Sequence, residues 1–433
     1  MKSCAASPRS RRREEAEARG QPLTPSLSPT DGERVAEGRV RGIPGRTLSL
    51  ASAGRKLKLG LRLILIALVM FNLHASTAPL VSELKSDETI LFYPTLAAPA
   101  TNGGWDIHIH GCLYELEKRG ITLAALRVAL RLDGIKMSDD ELALFKARGR
   151  LFLADNERNH RVVVRIAGQA FDLGESAPNG HFGKDIHLAD SSLLGVPALA
   201  GSPALVNQTP GRPKPGLQTS LEFSAVLQTN DTRQFNGIAL VLPATGVSVI
   251  SDIDDTIKIS DVLNHAALVR RTFLQPFEAV PGMAEVYRTW ATNGAEFHYV
   301  SASPWQLHLP LLGFTRTNNF PQGSWHMKQW RLKDRTFRSL FENPGNYKVE
   351  TIAPLLRQFP QRRFVLVGDS GERDPEAFAA LAREFPQQVA AIFIRDVTGQ
   401  GADAERYRTN FSGLPDKLWH VFKEPSEIAP LLP

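Results

Sequence analysis

The hydrophobic and polar positions of this 433-residue chain change their period near Val247. Before that point, short runs alternate apolar and polar residues or are rich in β-branched ones: WDIHIHGCLY, RVVVRIAGQAF, SLEFSAVLQ and GIALVLP. Gly, Pro and Asn separate them, the pattern of half-buried strands joined by turns. Two helical stretches, near residues 115–131 and 139–149, interrupt the early part, and a Pro/Gly-rich loop is expected over about residues 193–218. Residues 82–246 are therefore expected to form a mainly β, sandwich-like accessory domain.

From Val247 onward, strand-like and helix-like segments alternate. VSVISDID, EFHYVSAS, RFVLVGDS and VAAIFIRDV read as strands, while PGMAEVYRTWATNG, NYKVETIAPLLRQF and DPEAFAALAREF read as helices, and SPWQLHLPLL opens another. Pro281 stands near the first turn of the first helix and Gly294 just past its end. This order predicts an α/β domain over residues 247–425, a parallel sheet covered on both faces, with 426–433 as a tail. In open sheets of this kind, ligands bind outside the carboxyl ends of the strands.

Those ends carry the chemistry. One delivers Asp252-Ile253-Asp254-Asp255-Thr256, a second Ser301-Ala302-Ser303, and a third Gly368-Asp369-Ser370-Gly371-Glu372-Arg373-Asp374. The helix from Asn346 to Phe359 carries Lys348 in its opening turn, where a cation opposes the helix dipole unless both face an anion. Carboxylates gathered at one rim repel one another and need a cation, and hard oxygen ligands suit Mg²⁺. A carboxylate beside Mg²⁺ can attack phosphorus, and a second one two residues on can move protons for the leaving oxygen and the attacking water. A serine hydroxyl and a lysine can neutralise the outer phosphate oxygens.

Taken in order, Asp252-x-Asp254-x-Thr256, Ser301, Lys348 and Gly368-Asp369…Asp374 resemble the four motifs of the haloacid dehalogenase superfamily. More narrowly, SDIDDTIK, YVSASPWQL, FPQGS, YK-x-ET and LVGDSGERDPE resemble the phosphatidate phosphatase catalytic domain of the actin-patch-associated type, related to lipins, over about residues 235–425. The resemblance implies a haloacid dehalogenase-like Rossmannoid fold and a Mg²⁺-dependent phosphatase of a lipid phosphate such as phosphatidate, working through a phosphoaspartate. It implies Asp252 as nucleophile, Asp254 as acid and base, Ser301, Lys348 and Thr256 as phosphate binders, and Asp369 as a Mg²⁺ ligand. In the family pattern the Asp252 carboxylate and the Asp254 main-chain carbonyl also hold the metal, and Asp374 supports it. Asp255 is expected to be a turn or capping acid, Glu372 and Arg373 solvated loop residues, and Ser303 before Pro304 a helix N-cap.

Composition adds little to this. The chain is 42% hydrophobic and 22% charged, as a globular protein with a sizeable core should be. Much of its net charge of +6 sits in the Arg-rich residues 1–62, so no nucleic-acid partner is inferred. Arg55, Lys56, Lys58 and Arg62 precede an apolar core, Leu63 to Phe71, and small residues follow around Ala75 to Ala78. Within a leader spanning residues 1–78, that order fits a secretory signal peptide or an anchor, so an exported or membrane-associated protein is expected. An over-extended start would explain the long tail before the apolar core, and without a signal the protein would be cytoplasmic. Of Cys4 and Cys112, only Cys112 would survive removal of the leader, which leaves no internal disulfide. The oligomeric state is not readable.

Two other patterns invite a function. Asp106, His108, His110 and Cys112 share one strand face with metal-ligand spacing, but an ordinary strand with a polar outside explains them. Aromatic and basic residues interleave from Trp305 to Phe341, which suits packing of a light cap and also an anionic lipid surface. Two rivals to a lipid phosphatase are therefore a phosphatase of soluble or protein phosphate esters, and a membrane-docking or scaffold module working through the β-rich part.

Overall fold

A computed structural model describes residues 80–116, 120–189, 220–329 and 346–433. The expected leader, the whole of the expected Pro/Gly-rich loop and the aromatic-basic stretch from Trp330 to 345 lie outside the described residues.

The first part is mainly β, built on a nine-stranded sheet. Its strands are β1 (Glu88–Phe92), β2 (Thr95–Pro99), β3 (Trp105–Glu115), β4 (Asp155–Asn156), β5 (Arg161–Ile166), β6 (Gln169–Glu175), β7 (His181–Leu188), β8 (Ser220–Ala225) and β9 (Asn236–Val241). Apart from the parallel pair β2–β9, the pairings are antiparallel. The long β3 pairs with β1 and β2 and also with β7 and β4. One face of the sheet gathers a single core, in which Phe92 of β1 packs edge-on against both Phe182 of β7 and Phe223 of β8. These strands thus belong to one hydrogen-bonded sheet with one core. Along β3 the burial alternates, with Trp105, Ile107 and Ile109 inside and Asp106 and His108 outside, as the period of two requires.

Between β3 and β4 come α1 (Gly120–Ala129) and α2 (Asp139–Phe152). Ser138 opens α2 with a reciprocal capping box: its hydroxyl accepts from the Glu141 amide at 3.2 Å, and Glu141 accepts from the Ser138 amide at 2.9 Å. Neither helix belongs to the core of the β sheet. Leu126, Leu130, Phe145 and Phe152 join the same core as Ile253, Ile257 and Phe273. Arg148 on α2 donates to the carbonyls of Thr272 and Gln275 at 2.8 and 2.7 Å and lies over the Phe277 ring. The helical arm is therefore bolted to the loop that follows the first acidic motif.

The second part is a six-stranded sheet: β10 (Gly246–Ser251), β11 (Ala295–Pro304), β12 (Gly323–Lys328), β13 (Arg362–Asp369), β14 (Val389–Arg395) and β15 (Trp419–Phe422). All neighbours are parallel, in the order β12-β11-β10-β13-β14-β15. The helices of this part are α3 (His265–Phe273), α4 (Met283–Thr292), α5 (His308–Thr317), α6 (Tyr347–Gln358), α7 (Asp374–Glu384) and α8 (Glu405–Asn410). Val249 and Val365 face one core and Ile250 and Leu366 the other, so the central strands are buried on both faces. The order in which successive strands are added, outward through β11 and β12 and then through β13, β14 and β15, reverses between β10 and β13. This is the topological switch point, where a crevice opens at the strand ends. Asp252 and Asp369 flank that crevice.

One expectation changes here, and one strand goes beyond what the sequence predicted. Ser303 does not cap a helix: β11 continues to Pro304 across a register shift, and a 3-10 turn at Trp305–Leu307 leads into α5. Strand β12 has no readable period, because GSWHMK buries both polar and apolar residues.

Candidate active site

Asp252 is fully buried just beyond β10. One carboxylate oxygen lies 2.8 Å from Lys348 Nζ, and the other accepts from the Thr256 hydroxyl at 3.1 Å. The expected phosphate binder Thr256 thus spends its hydroxyl on orienting Asp252. Lys348, in the first turn of α6, also reaches Glu372 at 3.0 Å and forms an ion pair with Asp374. Glu372 is therefore not a solvated loop residue; its carboxylate turns inward to the lysine.

Asp369 ends β13 with one carboxylate oxygen accepting from the Gly371 and Glu372 amides at 2.6 and 3.2 Å. Its other oxygen is buried and has no hydrogen-bond partner among the described residues. Asp374 opens α7 without capping it; its carboxylate instead accepts from the Asp369 amide at 3.0 Å. The approach is close enough that a Cβ at Gly368 would collide with the Asp374 carboxylate, which explains a glycine at that strand end. Oxygens of Asp252, Asp369 and Asp374 lie within 4.8 Å of one another.

Asp254 stands apart from this trio. Its Oδ1 lies 2.7 Å from Lys258 Nζ and accepts from Ser260 at 2.7 Å; its Oδ2 accepts from Ser303 at 2.9 Å and Ser301 at 3.3 Å. The expected Ser301 is thus at the site but turned toward Asp254, and the Asp254 side chain is not among the clustered metal-ligand oxygens. Asp255 has a positive φ of 54° and accepts from the amides of Ser260, Asp261 and Val262, which ties down the loop as a turn acid does. The sequence singles out neither Lys258 nor Ser260, and it points to Ser303 and Glu372 only as a cap and a solvated loop residue. A lysine four residues after Asp254 was visible as a spacing, but the burial that gives it meaning was not.

The electrostatics separate the acids. Burial pushes the Asp252 carboxyl well above the usual carboxylate range; Lys348 pulls it down, while Asp374 and Glu372 push it further up. Burial and the charges of Asp374 and Asp252 likewise raise Asp369. Lys348 would lose its proton more easily through burial, but the surrounding carboxylates hold its pKa well above the usual value. Asp254 behaves oppositely: burial would raise it, yet Lys258, Ser260 and Ser303 hold it down at about 2. It is therefore ionised, whereas the trio, were all three acids ionised, would carry more negative charge than one lysine can balance.

This donor set fits a divalent cation of the hard class. It offers oxygen ligands only, three carboxylates close together, and a buried Asp369 oxygen without a partner among the described residues.

Residues 247–396 match the family model described as "Phosphatidate phosphatase APP1, catalytic domain". The chain is 36% identical over 187 residues to phosphatidate phosphatase APP1 of Saccharomyces cerevisiae, an alignment covering 42% of this chain and 31% of that protein. It is 32% identical over 181 residues to an uncharacterized protein of Schizosaccharomyces pombe, covering 41% and 29%. The chain spans about a third of the length of these curated relatives.

Proposed function

We propose that this chain, whose residues 247–396 match the catalytic-domain model of phosphatidate phosphatase APP1, hydrolyses the phosphate monoester of a lipid such as phosphatidate with a bound Mg²⁺. The observation that carries the reading is the buried trio Asp252, Asp369 and Asp374 at the sheet's switch point, facing one lysine. Asp252, Asp369 and Asp374 would hold the cation. Bound there, it supplies positive charge that keeps the acids ionised and balances charge on the transferring phosphate.

Asp252 is the nucleophile: its carboxylate forms the new bond to phosphorus as the bond to the leaving oxygen breaks, giving a phosphoaspartate. Thr256 fixes the rotation of that carboxylate, and Lys348 stands where it can neutralise a phosphate oxygen. Asp254 serves the leaving oxygen and then the attacking water. In the ionised state imposed by Lys258 it is set up for the second task, taking a proton from water. For the first task it must gain a proton, which the arriving phosphate dianion favours by like-charge repulsion. Ser301 and Ser303 are close enough to Asp254 to hold it during both steps.

The test compares phosphate release by the unaltered protein and by D252N, on phosphatidate in mixed micelles and on an aryl phosphate. The variant is expected to lose roughly four orders of magnitude on both, as nucleophile removal typically does. Comparable turnover by D252N would remove the nucleophile assignment. An unaltered protein that cleaves the aryl ester but not the lipid would favour a soluble substrate.

A further inference from the structure

Beside the catalytic rim lies a cleft of about 410 Å³, lined among the described residues by His110, Trp305, His326, Met327, Tyr347 and others. One wall belongs to the β-rich sheet and the other to β12 and α6. Two of its lining residues are close in sequence to residues of the site. Tyr347 precedes Lys348, which touches Asp252, and Trp305 stands two residues from Ser303, which touches Asp254. The β-rich wall is held in place by packing: Tyr93 stacks on Trp305 with ring centroids 3.8 Å apart, and His110 meets the same indole edge-on at 5.2 Å.

What the cleft presents can be read from a buried hydrogen-bond chain that crosses the parallel sheet. Arg362 on β13 donates from Nε to the Ser248 hydroxyl oxygen at 3.0 Å. Ser248 pairs with His298 Nε2 at 3.0 Å, His298 Nδ1 with Ser324 at 2.8 Å, and Ser324 with His326 Nε2 at 2.9 Å. Arginine can only donate, and each hydroxyl has one proton to give. If His298 donated to Ser248, the Ser248 proton would have no acceptor among the described residues, in a fully buried place where that is costly. Ser248 therefore donates to His298, which donates to Ser324, which donates to His326. Burial holds both imidazoles neutral, far below the ordinary histidine range in His298 and at about 4 in His326. The one proton of His326 is consequently on Nδ1, the nitrogen without a partner among the described residues. His110 is likewise half satisfied, with Nε2 paired to His181 at 2.9 Å.

We propose that this cleft is the leaving-group subsite, where His326 Nδ1–H donates to an ester carbonyl of a glycerolipid phosphate and the β-rich sheet supplies the opposing wall through His110. The inference rests on the phosphatase reading above and deepens it. If Asp254 serves the leaving oxygen, the rest of the substrate extends past Ser303 into this space. A fixed donor selects an acceptor, and an acyl ester offers acceptors without donors. The volume suits a glycerol backbone with its ester groups rather than two whole acyl chains.

The test compares kcat/KM for diacyl phosphatidate with that for its dialkyl ether analogue, which has the same charge and chains but no carbonyls. The ratio is internal to each protein sample, so partial loss of folded enzyme cancels. The unaltered protein should prefer the ester about tenfold, the scale of one buried hydrogen bond left unmade. H326F should bring the ratio close to one. S324A, which removes the proton supplied to Nε2 and frees the tautomer, should lower it part of the way, as should H110F. A ratio near one in the unaltered protein, or an unchanged ratio in both H326F and S324A, overturns the subsite and leaves the phosphatase reading standing. Cleavage of an aryl phosphate with neither lipid turned over overturns the subsite and the lipid substrate together.

Discussion

The two sheets of this protein both carry acids, histidines and lysines, but they dispose of them in opposite ways. On the outer face of the β-rich sheet, partners come singly and from the neighbouring strand: His187 sits 2.9 Å from Asp106, and His108 sits 2.8 Å from Asp185, all four well exposed. Even the tighter group of Glu88, Glu157 and His160 has Lys85 within 2.7 and 3.1 Å of its two glutamates. At the rim of the parallel sheet, Asp252, Asp374 and Glu372 crowd around Lys348 in a buried place, and Asp369 beside them has an oxygen unmatched among the described residues. Paired charges in water are surface chemistry worth little energy. A buried surplus of one sign is a standing cost, and it makes sense where a cation and a phosphate are to be bound.

Mutations can break that contrast. K348M should have the largest effect here: activity should fall by on the order of a thousandfold, the scale of losing a charge that stabilises the transition state. It should also cost about 3–5 kcal/mol of stability, the scale for stripping the partner from buried charges. Phosphate release and urea unfolding measure the two, and a variant near normal in both would show that the lysine is not central. S303A should be milder, with activity down about tenfold and stability within about 1 kcal/mol, because Asp254 keeps Lys258 and Ser260. The same two assays check it. D185N, breaking a surface pair on the other sheet, should change stability by less than about 0.5 kcal/mol and activity not at all. A large loss there would erase the distinction between the two regions.

The sequence made the catalytic sheet legible because its strands are buried on both faces and end in acids. The run from Val247 to Asp252 reads as a strand for that reason, and the motif order brings Asp369 and Lys348 to the same rim. The helical arm was legible as helices but not as part of the catalytic core, since the contact of Arg148 with Thr272 spans more than a hundred residues. Strand β12 hid behind its mixed burial, and with it the chain from Arg362 to His326. Individually, Ser248, His298 and Ser324 look like misplaced polar residues, and only their mutual distances show that each supplies what the next requires. Glu372 was misread because a loop position predicts exposure, whereas the pull of a buried lysine decides its direction.

The central claim is that the buried surplus of carboxylates exists to hold a divalent cation for phosphate transfer. The direct measurement is phosphate release from phosphatidate in mixed micelles after EDTA treatment, with Mg²⁺ then added back in excess. The account predicts that release falls to background with EDTA and returns with Mg²⁺. Release that continues undiminished in EDTA would contradict it.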